Sequence, residues 1–236
     1  IDRSLVGSEM CIRDRMATVQ AVTGTLESSL FNGTFKHKDE IEFFMQHNGG
    51  HISIDNRFEI PMLEEVAGKL DRKQPVIMRI NLDVGAETHP MVLTSGYDQQ
   101  FGISIGFAEE ALQQIYNSKH LLFSGVHVHI GSQIKDPDRY KKAMSECADF
   151  LNAHPASVER EIVFDAGGGF FSPYAGDEVD HELKVYADAI HEGIKEHWSG
   201  SFKVMIEPGR ALVNNPGVIL YTCLLYTSPS PRDSDQ

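Results

Sequence analysis

The chain has 236 residues, 41% of them hydrophobic and 23% charged, and a formal net charge of −13. That length holds one barrel-sized α/β domain and little more, and so acidic a balance excludes a nucleic-acid-binding surface. No apolar run approaches the roughly 20 residues that span a bilayer, no signal peptide is legible, and Cys11, Cys147 and Cys223 have neither disulfide nor zinc-knuckle spacing. A cytoplasmic protein that binds neither membrane nor nucleic acid is expected.

The two ends, 1–15 and 223–236, show no amphipathic period and do not continue their neighbours. Both resemble translated sequencing-adapter segments, and they are set aside as non-native, which leaves residues 16–222 as the domain. Within it, Ser29–Asn32 is a short strand ending at Gly33. Lys38–Gln46 is a helix with Asp39, Glu40 and Glu42 early, Ile41, Phe44 and Met45 as its apolar stripe, and Asn48-Gly49-Gly50 as its stop. His51–Asp55 is a strand and Pro61–Leu70 a helix with proline in its first turn. Pro75–Asn81 is a strong strand.

Residues 82–106 are irregular and glycine-rich, and a loop of that length in a compact domain is usually functional. Phe107–Ser118 is a helix and His120–His129 a strand. Pro137–His154 is a helix with Tyr140, Met144, Cys147, Phe150 and Leu151 on its apolar face. Glu161–Asp165 is a strand, Val179–Trp198 a long amphipathic helix, and Phe202–Ile206 a final strand. Alternation of this kind predicts parallel βα units.

Three strand ends carry unusual residues: His127-Val128-His129-Ile130-Gly131-Ser132, Asp165-Ala166-Gly167-Gly168-Gly169 and Glu207-Pro208-Gly209-Arg210. In a parallel barrel all such ends lie on one rim, so the three motifs converge. Successive glycines bring backbone N–H groups close to a phosphate. An arginine after Pro-Gly suits phosphate or carboxylate, and Ser132 can donate to the same anion. His127 and His129, two apart, share a strand face and could ligate a metal with Asp165, but further ligands would be needed and no metal is assigned. An imidazole laid flat on an aromatic cofactor fits a neighbouring phosphate site better. Glu207 beside that anion should address a cationic part of the ligand, such as a protonated pyridine nitrogen. These roles together describe pyridoxal 5'-phosphate, used as an electron sink.

With those motifs the chain resembles the alanine-racemase-like barrel decarboxylases that use pyridoxal phosphate. The form His-Val-His-Ile-Gly-Ser-Gln, with Asn32-Gly33-Thr34 before Lys36, Arg79-Ile80-Asn81, Thr88-His89-Pro90 and Phe101-Gly102-Ile103, is closer to the diaminopimelate than to the ornithine decarboxylases. The resemblance runs from about residue 25 to 222. It implies a partial TIM (β/α)8 barrel with about six of eight βα units. It also implies decarboxylation of meso-2,6-diaminopimelate to L-lysine, and a full-length homodimer with its active site at the interface. His129 would stack on the pyridine ring, and Ser132, Gly167, Gly168 and Gly169 would hold the phosphate. Glu207 would keep the ring nitrogen protonated. Arg210, after Pro208-Gly209, would reach phosphate or substrate carboxylate.

The departures bear on activity. The family's cofactor-binding lysine lies in a Tyr-Ala-x-Lys-Ala pattern that nothing here matches, and Lys36 and Lys38 fall in a later region and do not qualify. The C-terminal β domain with its catalytic cysteine is also missing, and Gln100 stands before Phe101 where the family usually has lysine. The fragment is therefore expected to be inactive as it stands. Alternative readings are a decarboxylase of another basic amino acid, ornithine or arginine, and a non-catalytic homologue that binds a partner.

Overall fold

Short apolar runs separated by amphipathic helices leave this chain one way to bury both: a parallel sheet with helices laid over it. The computed structural model describes residues 12–82, 101–155, 161–173 and 182–214. In chain order these form α1 (Ile12–Thr23), β1 (Leu30–Phe31), α2 (Lys38–Gln46), β2 (His51–Ile54), α3 (Glu59–Lys69), β3 (Gln74–Asn81) and β4 (Ile103–Ser104). Then come α4 (Ile105–Asn117), β5 (Leu121–His127), α5 (Asp138–Ala153), β6 (Ile162–Asp165), α6 (Leu183–His197), β7 (Phe202–Met205) and α7 (Gly209–Val213).

The strands pair in the order β1-β2-β3-β5-β6-β7, all parallel, with β4 beside the end of β3. The sheet is rolled. Asn32, just past β1, donates its side-chain amide to Glu207 Oε1, just past β7, at 3.0 Å. The residues that follow the two outermost strands on this path are thus within side-chain reach of each other across the curl, without the strands themselves pairing. Among the described residues no helix is long and apolar enough to cross a membrane.

Helix α2 occupies the residues its pattern predicts. Glu40 accepts the His37 amide at 3.0 Å, which helps satisfy the exposed first turn, while Ile41, Phe44 and Met45 are buried. The helix ends at Gln46, Asn48 takes a φ of +54°, and the chain turns back so tightly at Gly49 that a Cβ there would lie 2.3 Å from the Phe44 ring. Helix α3 starts at Glu59, two residues before the predicted Pro61. Proline is tolerated there because a first-turn amide has no intrahelical acceptor, and the Glu59 carboxylate meanwhile accepts the Asp55 amide at 2.9 Å. All five apolar positions predicted for α5 are buried.

The unforeseen elements have local causes. β4 follows Gly102, whose φ of +82° and 3.2 Å approach to the Asn81 nitrogen favour a residue without Cβ. Residues 83–100, Gln100 among them, lie outside the described set, as do 179–181 of the predicted Val179–Trp198 helix. Helix α1 begins inside the segment set aside from the sequence, and Arg13 lies over the Phe43 ring, 5.3 Å from its centroid. It lacks an apolar stripe, so periodicity could not reveal it. β5 ends at His127 rather than His129, although the Val128 amide still donates to Asp165 at 2.9 Å.

One buried ion pair ties the segment after β1 to the start of α3. The Lys36 ammonium is fully covered and bonds Gly33 O at 2.7 Å and both Glu59 carboxylate oxygens at 3.1 Å. Burial lowers the lysine pKa and raises that of Glu59, each opposed by the partner's charge. Removing one member strands the other. Lys36→Met should therefore destabilise the fold by about 3–5 kcal/mol in urea titrations. Lys36→Met/Glu59→Leu should recover most of that loss.

Candidate cofactor site

Register places three polar residues side by side inside the curl. Arg79 of β3 is opposite His127 of β5, and His127 is opposite Asp165 of β6. Partners in a parallel ladder point to the same side of the sheet, so a layer of charge and imidazole crosses an otherwise aliphatic interior. Each is held from behind. Arg79 Nη1 donates to Asp55 Oδ1 at 2.7 Å, and its guanidinium lies over the Phe101 ring, 5.4 Å from the centroid. His127 Nδ1 is 3.0 Å from Ser53 Oγ. The Gly167 amide donates to Asp165 Oδ1 at 2.9 Å.

Glu207 completes the layer from the end of β7. Its Oε1 accepts the Asn32 amide and its Oε2 stands 3.9 Å from His127 Nε2. One ring nitrogen of His127 and one oxygen each of Asp165 and Glu207 lie within 4.8 Å of one another. His127 Nε2, Asp165 Oδ2 and Asn32 Oδ1 are buried without a hydrogen-bond partner.

The groups charge reluctantly. Burial, then repulsion from Glu207, pushes the Asp165 carboxyl up, and burial does the same to Glu207 against the pull of Asn32 and Arg79. Burial, with Arg79 nearby, holds His127 well below the usual imidazole range and takes His129 down to about 4. Both imidazoles are therefore neutral near pH 7, and the positive charge that acts on the carboxyl pair is that of Arg79, which is hydrogen-bonded to Asp55 instead.

Above this layer opens a cavity of about 210 Å³. It is lined by His129, Ser132, Gly168, Gly169, Glu207, Pro208, Gly209 and Arg210, with Gln133, Phe170 and Ala211. The structure thus brings all but one of the sequence-derived site residues around one space. The exception is Gly167. Its φ is +67°, a Cβ there would lie 2.3 Å from Val128 O, and its N–H already bonds Asp165, so it turns the chain behind the wall. Gly168 gives its N–H to His129 Nδ1 at 3.3 Å, which leaves the proton of that neutral ring on Nε2. Tyr140 on α5 clamps the same glycine from outside, donating to its carbonyl at 3.0 Å.

The two histidines part company. His127 is fully buried beneath the cavity, whereas half-buried His129 forms part of its wall. Ser53 and Asp55 had no site role in the sequence reading, and Asn32 entered only within a family-like motif, although polar residues at the ends of apolar strands were a usable signal. Lys36 is committed to Glu59 and Gly33, which agrees with leaving it out of the cofactor-lysine role.

The cavity fits pyridoxal phosphate by its donor set. Ser132 and Arg210 suit an anion, His129 offers an uncharged aromatic face, and Glu207 is a desolvated carboxyl ready for a cationic hydrogen-bond donor.

Rolled parallel sheet and rim cavity together define a (β/α) barrel domain that binds an anionic aromatic cofactor. Its residues 6–214 match the family model described as pyridoxal-dependent decarboxylase, pyridoxal binding domain, and the chain belongs to that family. It is 36% identical over 197 residues to diaminopimelate decarboxylase of Staphylococcus aureus (strain COL), covering 81% of this chain and 45% of the relative. It is 34% identical over 199 residues to that of Bacillus subtilis (strain 168), with the same coverage. Among solved structures, diaminopimelate decarboxylase from Helicobacter pylori complexed with L-lysine superposes with a TM-score of 0.73 at 27% identity. That match covers 84% of this chain and 50% of the other. The enzyme from M. jannaschi gives a TM-score of 0.75 at 28% identity, covering 85% and 47%. The chain spans about half the length of the relatives it matches.

The opposed titrations make stability depend on pH. A carboxyl raised on folding binds more protons folded than unfolded between its ordinary and its raised pKa, so its contribution falls as pH rises from about 4 towards 7. His127 and His129, lowered on folding, contribute the opposite slope up to about 6.5. Asp165→Asn keeps an acceptor for Gly167 and removes one falling contribution. Urea midpoints from pH 4.5 to 7.5 should show the variant gaining stability relative to the parent as pH rises; parallel curves would refute the buried-carboxyl reading.

Proposed function

We propose that this chain is the cofactor-binding barrel of an enzyme that decarboxylates meso-2,6-diaminopimelate to L-lysine with pyridoxal 5'-phosphate. The observation that carries the reading is a half-buried carboxylate, Glu207, sharing one cavity with Arg210, Ser132 and a neutral imidazole. Support for the substrate comes from relatives of that name, and from the Helicobacter pylori relative complexed with L-lysine.

When bound, the cofactor supplies an electron sink for the charge left at the α-carbon as carbon dioxide departs. The residues of this chain bind and orient. Ser132, Gly168, Gly169 and Arg210 take the phosphate, with Arg210 also within reach of a substrate carboxylate. His129 presents its ring face to the pyridine, and its low pKa keeps a positive charge away from an electron-poor ring. Glu207, steadied by Asn32, holds a proton on the ring nitrogen, which deepens the sink. Pro208 and Gly209 shape the turn that carries Arg210 to the rim.

The natural domain is proposed to occupy residues 16–222, with 1–15 and 223–236 foreign. The whole enzyme is a cytoplasmic homodimer with its site at the interface. The Schiff-base lysine and a C-terminal β domain with the catalytic cysteine lie outside these residues. Uninterrupted sequencing of the source locus tests this: it should run upstream into Tyr-Ala-x-Lys-Ala and downstream into a β domain. A frame lacking both supports the non-catalytic homologue instead.

The protein expressed from the complete frame should release carbon dioxide and L-lysine from meso-2,6-diaminopimelate, and little product from L-ornithine or L-arginine. Preference for either of the latter overturns the substrate assignment. Glu207→Gln should lower kcat by about a hundredfold, in the range of losing a proton-holding group. Gly168→Ala, whose Cβ would lie 2.5 Å from Glu207 O, should weaken cofactor retention measured by dialysis.

A further inference from the structure

The cofactor accounts for Glu207 but leaves two buried atoms beneath it unexplained, His127 Nε2 and Asp165 Oδ2. His127, Asp165 and Glu207 share one pattern: a protein group bonds one side-chain atom and another atom turns inward. Ser53 Oγ takes His127 Nδ1, the Gly167 amide takes Asp165 Oδ1, and the Asn32 amide takes Glu207 Oε1. Outer partners that fix the tautomer and the carboxylate faces while leaving the inner atoms open are the arrangement of a metal's supporting shell.

We propose that His127, Asp165 and Glu207 form a binding site for a borderline divalent cation of the Zn²⁺ type, and that cation and cofactor compete for Glu207. One imidazole and two carboxylates are an ordinary donor set for such an ion. The three atoms lie within 4.8 Å of one another, with His127 Nε2 and Glu207 Oε2 at 3.9 Å. Bonds of about 2.0–2.2 Å require them to draw in by about an ångström, which the half-buried Glu207 side chain can supply. A dication also provides a counter-charge in direct contact with the two carboxyls, on which Arg79 acts only from a distance. The neighbouring cations do not fill that place, since Arg79 is bonded to Asp55 and Lys36 to Glu59. Arg79 still opposes a second positive charge and limits affinity. Competition rests on the cofactor role given to Glu207 above; the cation site does not.

The test uses the 236-residue chain and Co²⁺ as probe, followed by visible absorption and equilibrium dialysis. One equivalent should bind with a ligand-field band. The band should vanish in His127→Ala and Asp165→Asn, and affinity should fall about tenfold in Ser53→Ala, which keeps all three ligands. Circular dichroism and urea midpoints establish that each variant is folded. Excess pyridoxal 5'-phosphate should erase the band and release Co²⁺. Failure to bind, or binding indifferent to all three folded variants, overturns the site in favour of adventitious surface histidines. A band that the variants abolish but that pyridoxal 5'-phosphate leaves intact, at a concentration where equilibrium dialysis shows the cofactor bound to the same chain, upholds the cation site and overturns the competition, together with the role of Glu207 on the ring nitrogen.

Discussion

A hydrogen bond from Asn32, just past one outermost strand of the six-strand path, to Glu207, just past the other, spans the curl of the sheet, and the polar interior lies beneath it. Once the sheet is rolled, polar residues facing inward lose bulk water and must find partners in the protein. The fold meets this demand in tiers. Lys36, Glu59 and the Asp55 amide satisfy one another at the lower level, Asp55 passes the network on to Arg79, and Arg79 abuts the His127–Asp165–Glu207 layer. Among the described residues, three of the five buried side-chain atoms left without a partner, on Asn32, His127 and Asp165, belong to that layer, next to the cavity. A ligand is recognised where the protein stops satisfying its own polar groups.

Burial decides what each titratable group contributes there. The same desolvation that makes His129 a neutral plane makes Glu207 and Asp165 reluctant anions; the charge of Arg79 adds to the first effect and opposes the second. A cationic donor arriving at Glu207 would relieve a penalty already present in the fold. That is a more economical source of selectivity than a preformed anion, whose solvent shell would first have to be stripped.

Much of this was legible in the residues. Helix α2 has its predicted bounds because acidic N-terminal residues, an apolar stripe and a glycine pair all agree. The strands lie within two residues of their apolar runs, and the three strand-end motifs converge because parallel topology allows nothing else. Other features were hidden because their signal is not local. Ser53 sits in an unremarkable His-Ile-Ser-Ile run and matters only through a partner 74 residues away. Gly167 looks like its two neighbours in sequence, yet its amide is claimed by Asp165. His127 and His129 form a pair on paper, but the strand ends between them, leaving one buried and the other on the wall. Helices α1 and α7 lack the periodicity that reveals a helix.

The hydroxyl of Tyr140 holds the Gly168 carbonyl from the far side of the sheet, and its ring lies flat on Phe170, 5.0 Å away, and edge-on to Tyr186 of α6. The glycine turn is therefore suspended from the outer helical layer by a column of aromatic rings. Substitutions on the buried faces of α5 and α6 that repack Tyr140 or Tyr186 have a mechanical route to the cavity. For anyone evolving or engineering this domain, those two helices are a tuning peg for the site.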